Sequence, residues 1–257
     1  MTGIPYGTLA YAPRTAHEPP STILVACTAI LALLLVLAVW PVVRWAITIA
    51  HEGGHALFLS ALGGSVGSIE LGRSKGARGA VNAKKSVCGT SFVLVLLAGY
   101  TGPSLFGLLA AILLVQGLSL PVLWLSIVFL VLVLIQVPLR NVFGILAVVT
   151  TGAVIFLFAR YGGPLTQTVV AHTWIWLLLI GGFRNTVEFR GISRAERRAA
   201  KKKEKKKEEG GKKPPKSDAA LLHEQTHIPE PFWVGCFLLA TLAALLFGGS
   251  ILLGLVG

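Results

Sequence analysis

The chain has 257 residues, 54% of them hydrophobic and 13% charged, and its mean hydropathy is +0.75. These values exclude an ordinary soluble domain and fit a protein that crosses a bilayer several times. A net charge of +12 would suggest nucleic acid in a soluble protein; here the basic residues cluster between apolar runs, where the positive-inside rule accounts for them, and no nucleic-acid partner is expected.

The apolar runs are continuous rather than alternating, which predicts an all-α, polytopic transmembrane helix bundle and not a barrel. Residues 1–20, with four prolines, read as a disordered tail. No removable leader is expected, because the first apolar run is long enough to remain as a span. Residues 21–183 read as a six-span membrane domain with spans at about 22–40, 42–63, 88–116, 120–137, 141–160 and 166–183. Pro41 separates the first two, and Gly63-Gly64 ends the second, as glycines do just past a helix. Between the second and third spans lies a glycine-rich, basic stretch in which 69–71 and 80–81 suggest short strands around a turn at Lys75-Gly76. The third span carries Ala98-Gly-Tyr-Thr-Gly-Pro-Ser-Leu-Phe-Gly107; its proline removes a helix hydrogen bond and its glycines admit a close neighbour. Residues 184–230 read as a basic cytoplasmic loop, helical in its first half, and 231–257 as a C-terminal span packing on the rest.

Seven spans with a cytoplasmic N-terminus place 21 of the 23 Lys and Arg on the cytoplasmic side, which is why that orientation is expected. Cys27, Cys88 and Cys236 are far apart and form no C-x-x-C pair, so they predict neither a disulfide framework nor a metal site.

The second span holds His51-Glu-Gly-Gly-His55. This H-E-x-x-H spacing puts two imidazoles on one helix face, where both can bind one Zn2+ ion, and puts Glu52 beside them as a candidate general base. Ionisable groups in an apolar span need a functional reason. The two glycines of the motif are expected to let a substrate backbone come close. Zinc needs a third protein ligand, and the candidates are Asp218, the only Asp in the chain, and Glu188. Asn185 is a candidate for hydrogen bonding a substrate, and Gly102 and Pro103 for a wall of the substrate site. His223-Glu-Gln-Thr-His227 repeats the pattern in a polar segment, where nothing forces it to be functional; it reads as a solvated cluster. His172 reads as structural.

Together these residues resemble the site-2 protease family of intramembrane zinc metalloproteases, in its bacterial site-2-protease-like branch. The resemblance rests on His51-Glu-Gly-Gly-His55, Gly99-Tyr-Thr-Gly-Pro-Ser-Leu-Phe-Gly107, Arg140-Asn-Val-Phe-Gly144, Ser217-Asp-Ala-Ala, Thr226-His-Ile-Pro229 and Phe232-Trp233, within roughly 42–256. It implies His51 and His55 as zinc ligands, Glu52 as catalytic base, Asp218 as third ligand, a membrane-protein substrate, and a multi-pass protein of the bacterial plasma membrane. The chain departs from the best-known members in having neither Asp-Gly nor Asn-Pro; Asp218 is matched through Ser-Asp-Ala instead. The function expected is hydrolysis of a peptide bond in or near a transmembrane segment. The alternative is a non-catalytic metal-binding membrane protein that escorts a client, for which Glu52 would be unnecessary. A transporter ranks lower, since no inverted repeat is visible.

Overall fold

A computed structural model describes residues 20–72, 79–204 and 217–255. Most of the expected tail, the turn at Lys75-Gly76 and the Gly-Lys-Pro stretch at 210–215 lie outside the described residues. Within them the chain is an all-α polytopic bundle with one small hairpin: α1 Thr22–Ala38, α2 Trp40–Ala61, β1 Ser65–Glu70, β2 Ala80–Lys85, α3 Gly89–Val115, α4 Ser119–Gln136, α5 Val142–Tyr161, α6 Pro164–Glu204, α7 Asp218–Thr226 and α8 Glu230–Leu252.

Helices α3, α4, α5 and α8 and the 164–191 part of α6 are each long and apolar enough to cross a membrane. The first two predicted spans behave differently. α1 and α2 meet at an angle of 105° and pass that test only as a pair. Length and composition therefore support five spans, or six with the bent pair as one, against the seven expected. The reason is local. α1 has 17 residues, α2 carries Arg44, His51, Glu52 and His55, and hydropathy along a sequence is blind to the direction of a helix axis. Pro41 sits in the first turn of α2, where its missing N–H is not needed.

The hairpin is antiparallel, with Ile69 opposite Val81 and Glu70 opposite Ala80. Ile69 and Leu71 are buried in the core, and this apolar anchoring holds the hairpin on the bundle. A second fixing point is the turn before α5: Asn141 Nδ2 donates to the Leu71 carbonyl at 3.3 Å while its Oδ1 accepts from Gly144 N at 2.9 Å, capping α5. Arg140 pairs with Glu70 beside it.

α3 runs unbroken through Pro103 and packs against α2, α6, α7 and α8. Its contact with α2 is backbone on backbone. A Cβ at Gly54 would lie 2.5 Å from the Ala98 carbonyl oxygen, and one at Gly102 would lie 3.1 Å from that of Ala50. Small residues allow this approach in a medium that supplies no hydrophobic drive between helices. The motif's other glycine is equally confined, since a Cβ at Gly53 would meet Phe129 at 2.3 Å. Both motif glycines therefore make room for helix packing, not for a substrate backbone as expected.

Candidate active site

The i, i+4 spacing on α2 brings the His51 and His55 rings to 4.9 Å between centroids, edge to face at 88°. α7 begins at Asp218, and Ser217 caps it by accepting from Ala220 N at 3.2 Å. This cap fixes where the Asp218 side chain leaves the backbone. Its Oδ2 lies 3.4 Å from His51 Nε2 and 3.4 Å from His55 Nε2. One ligand atom from each of the three residues lies within 4.8 Å of the others, and this is the group of metal-ligating character found among the described residues.

The donor set fits a metal. Ligands held 2.0–2.1 Å from zinc at the corners of a tetrahedron stand about 3.4 Å apart, and both His–Asp separations match. The tautomer of His55 fits too. Its Nδ1 lies 2.7 Å from the Val95 carbonyl, an acceptor only, so Nδ1 carries the proton and Nε2 presents its lone pair to the site. The backbone of α3 closes in behind: a Cβ at Gly99 would stand 2.2 Å from His55 Nε2 and 3.0 Å from His51 Cε1.

Glu52 lies next to the set, with Oε1 4.0 Å from His51 Nε2, and is 3% exposed. The residue just before β2 covers it: a Cβ at Gly79 would fall 2.3 Å from Glu52 Oε1. A buried carboxylate beside two imidazoles is within reach of exchanging a proton with a group held between them.

The other predicted residues fall in distinct places. Glu188 is held elsewhere, accepting from Trp40 Nε1 at 3.0 Å and from Arg44 at 3.4 Å, and of the two acidic candidates Asp218 is the one grouped with the histidines. Asn185 is half-buried on α6, one turn before Phe189. Gly102 is buried against α2, and Pro103 is buried near Gly182 of α6. Pro103 has no N–H to give the Gly99 carbonyl one turn before it. The second H-E-x-x-H does not lie on one helix. α7 ends at Thr226, and His227 is its left-handed cap with φ 59°. His223 and His227 are exposed, the former bonded to the Ile228 carbonyl. His172 is buried and bonded to the Thr168 carbonyl, and the three cysteines are free.

Sequence reasoning missed Gly79, Val95 and Tyr100. Tyr100 stands within the quoted glycine-rich stretch. Gly79 gave no signal, since nothing local in the sequence shows that the hairpin reaches back to Glu52.

No curated protein and no solved structure matches the chain. The family model described as Peptidase M50B-like matches residues 24–248, a range that takes in the H-E-x-x-H span, the glycine-rich helix and Asp218. The chain belongs to this Peptidase M50B-like family, that is, to the site-2 protease family of membrane metalloproteases.

Proposed function

We propose that the protein is an intramembrane zinc protease that hydrolyses a peptide bond in or near a transmembrane segment of a membrane-protein substrate. One observation carries this reading: Asp218 Oδ2 stands at the same 3.4 Å from both histidine Nε2 atoms, with Glu52 adjacent. His51, His55 and Asp218 would hold zinc. When bound, zinc supplies polarisation of the scissile carbonyl and acidification of a water. Glu52 takes the proton of the attacking water and returns it to the leaving nitrogen.

A helical substrate hides its carbonyls in its own hydrogen bonds, so the reacting segment must be partly unwound. Among the described residues the two-stranded hairpin has outer edges without a strand partner, and it reaches Glu52 at Gly79. Strand pairing on that edge would hold an extended substrate beside the base. Asn185 is the proposed polar contact for the substrate, and the Gly102-Pro103 segment of α3 is the proposed wall of the substrate site. The lipid bilayer is the second partner, and the basic loops face the cytoplasm of a bacterial plasma membrane. Purified Glu52→Gln protein should retain zinc and lose cleavage of a model transmembrane substrate; undiminished cleavage would sink the mechanism.

A further inference from the structure

The two histidines of the site are supported unequally. His55 is fixed by its hydrogen bond to the Val95 carbonyl at 2.7 Å. His51 Nδ1 is buried and has no hydrogen-bond partner among the described residues. A metal-ligating imidazole ordinarily gives its second nitrogen to an acceptor, which fixes both ring orientation and tautomer. His51 has no such acceptor among the described residues, yet its Nε2 is aimed at Asp218 as closely as that of His55.

What His51 touches is a ring. Tyr100 meets it edge to face, with centroids 4.6 Å apart and planes at 82°. Tyr100 is buried and is itself clamped, against Phe189 of α6 at 4.5 Å and against Phe237 of α8 at 4.9 Å. The same apolar cluster includes Ala219 and Leu222 of α7, the helix that starts with Asp218. Edge-to-face contact between a histidine and a held aromatic ring is attractive and directional, and a close-packed wall restricts rotation even where no hydrogen bond does.

We infer that Tyr100 is a positioning residue for the metal centre: its clamped ring, in place of a hydrogen-bond acceptor, sets the orientation of His51 and ties it to the helix that delivers Asp218. This rests on the proposed metalloprotease reading, and its test is read from metal binding rather than from cleavage. The full-length protein in detergent is titrated with zinc against a chromogenic chelator and with cobalt(II) by visible absorption. Tyr100→Phe keeps the ring and should match wild type in both. Tyr100→Leu should bind metal about 10- to 100-fold more weakly, the range for loss of a ligand-orienting group, with a changed cobalt spectrum. Val234→Ala, on α8 in the same cluster, should lower the melting temperature and leave metal affinity and spectrum as in wild type. Where Tyr100→Leu does not fold, Tyr100→Met, of similar volume and without a ring, takes its place. Wild-type affinity and spectrum in the ring-less variant would overturn the inference, as would Tyr100→Phe losing as much as Tyr100→Leu. Wild-type protein that takes up neither metal would instead overturn the metal site, and the inference with it.

Discussion

Gly99→Ala separates the stability of the helix from the integrity of the site. In an ordinary helix interior this change gains roughly 1 kcal/mol. Here the new Cβ would stand 2.2 Å from His55 Nε2 and 2.4 Å from Cε1. Ordinary contact begins at 3.4 Å, so the imidazole would have to retreat by about 1.2 Å. That movement carries Nε2 off its line to Asp218 and pulls Nδ1 from the Val95 carbonyl, now at 2.7 Å, beyond hydrogen-bond range. Ligand distances tolerate only about 0.2 Å. We expect zinc affinity to fall by about 100-fold or more, some 2.7 kcal/mol, and cleavage to fall with it. The melting temperature of the metal-free protein should change little. Gly152→Ala on α5 is the control: its Cβ meets only Leu130, at 3.8 Å, and both zinc affinity and cleavage should stay at the wild-type level. Competition with a chelator measures the affinity, and cleavage of a membrane-embedded model substrate measures the activity. Gly99→Ala protein binding zinc within threefold of wild type would refute the placement of α3 against the histidines.

Three further outcomes follow from the same geometry. Gly79→Val should drive a side chain into Glu52, whose Oε1 would lie 2.3 Å from the new Cβ, so kcat should drop by at least tenfold while zinc is retained; full activity would remove the hairpin from the site. Asn141→Ala loses the cap of α5 and the bond to the Leu71 carbonyl; we expect a loss of about 1 kcal/mol from the cap and faster protease nicking of the hairpin, checked by thermal melts and limited proteolysis. His223→Ala with His227→Ala should leave zinc stoichiometry and cleavage unchanged, because these exposed histidines lie at and beyond the end of α7; a drop in bound zinc would show that the second motif also ligates.

How much of this was legible in the sequence depended on the range of the interaction. His51, Glu52 and His55 lie within five residues of one another, and helical periodicity alone puts both rings on one face. Asp218 is 163 residues beyond His55 in the chain, and its candidacy came from scarcity and from the Ser-Asp-Ala pattern. Its separation from the histidines is a tertiary fact. The rivalry with Glu188 could not be decided from sequence, because what removes Glu188 is the Trp40–Arg44 pair that the bend between α1 and α2 places beside it. That bend was also hidden. Pro41 marked the break, but an apolar run on each side of a proline reads equally well as two spans or as one broken span.

The glycines follow the same logic. Composition tells that Gly53, Gly54, Gly99 and Gly102 tolerate close approach; only packing tells what approaches. Gly54 and Gly102 bring the α2 and α3 backbones together, and that contact sets the distance at which Gly99 and Tyr100 of α3 meet the histidines of α2. The placement of the histidine rings is thus decided partly at the neighbouring helix–helix contact. A substitution such as Gly54→Ala, with its Cβ 2.5 Å from the Ala98 carbonyl oxygen, touches no ligand but must push α3 outward. It should therefore loosen His51 and His55 together, through Tyr100 and Val95, and weaken zinc binding without altering any donor. Wild-type zinc affinity in that variant would mean that the histidines hold their geometry independently of α3.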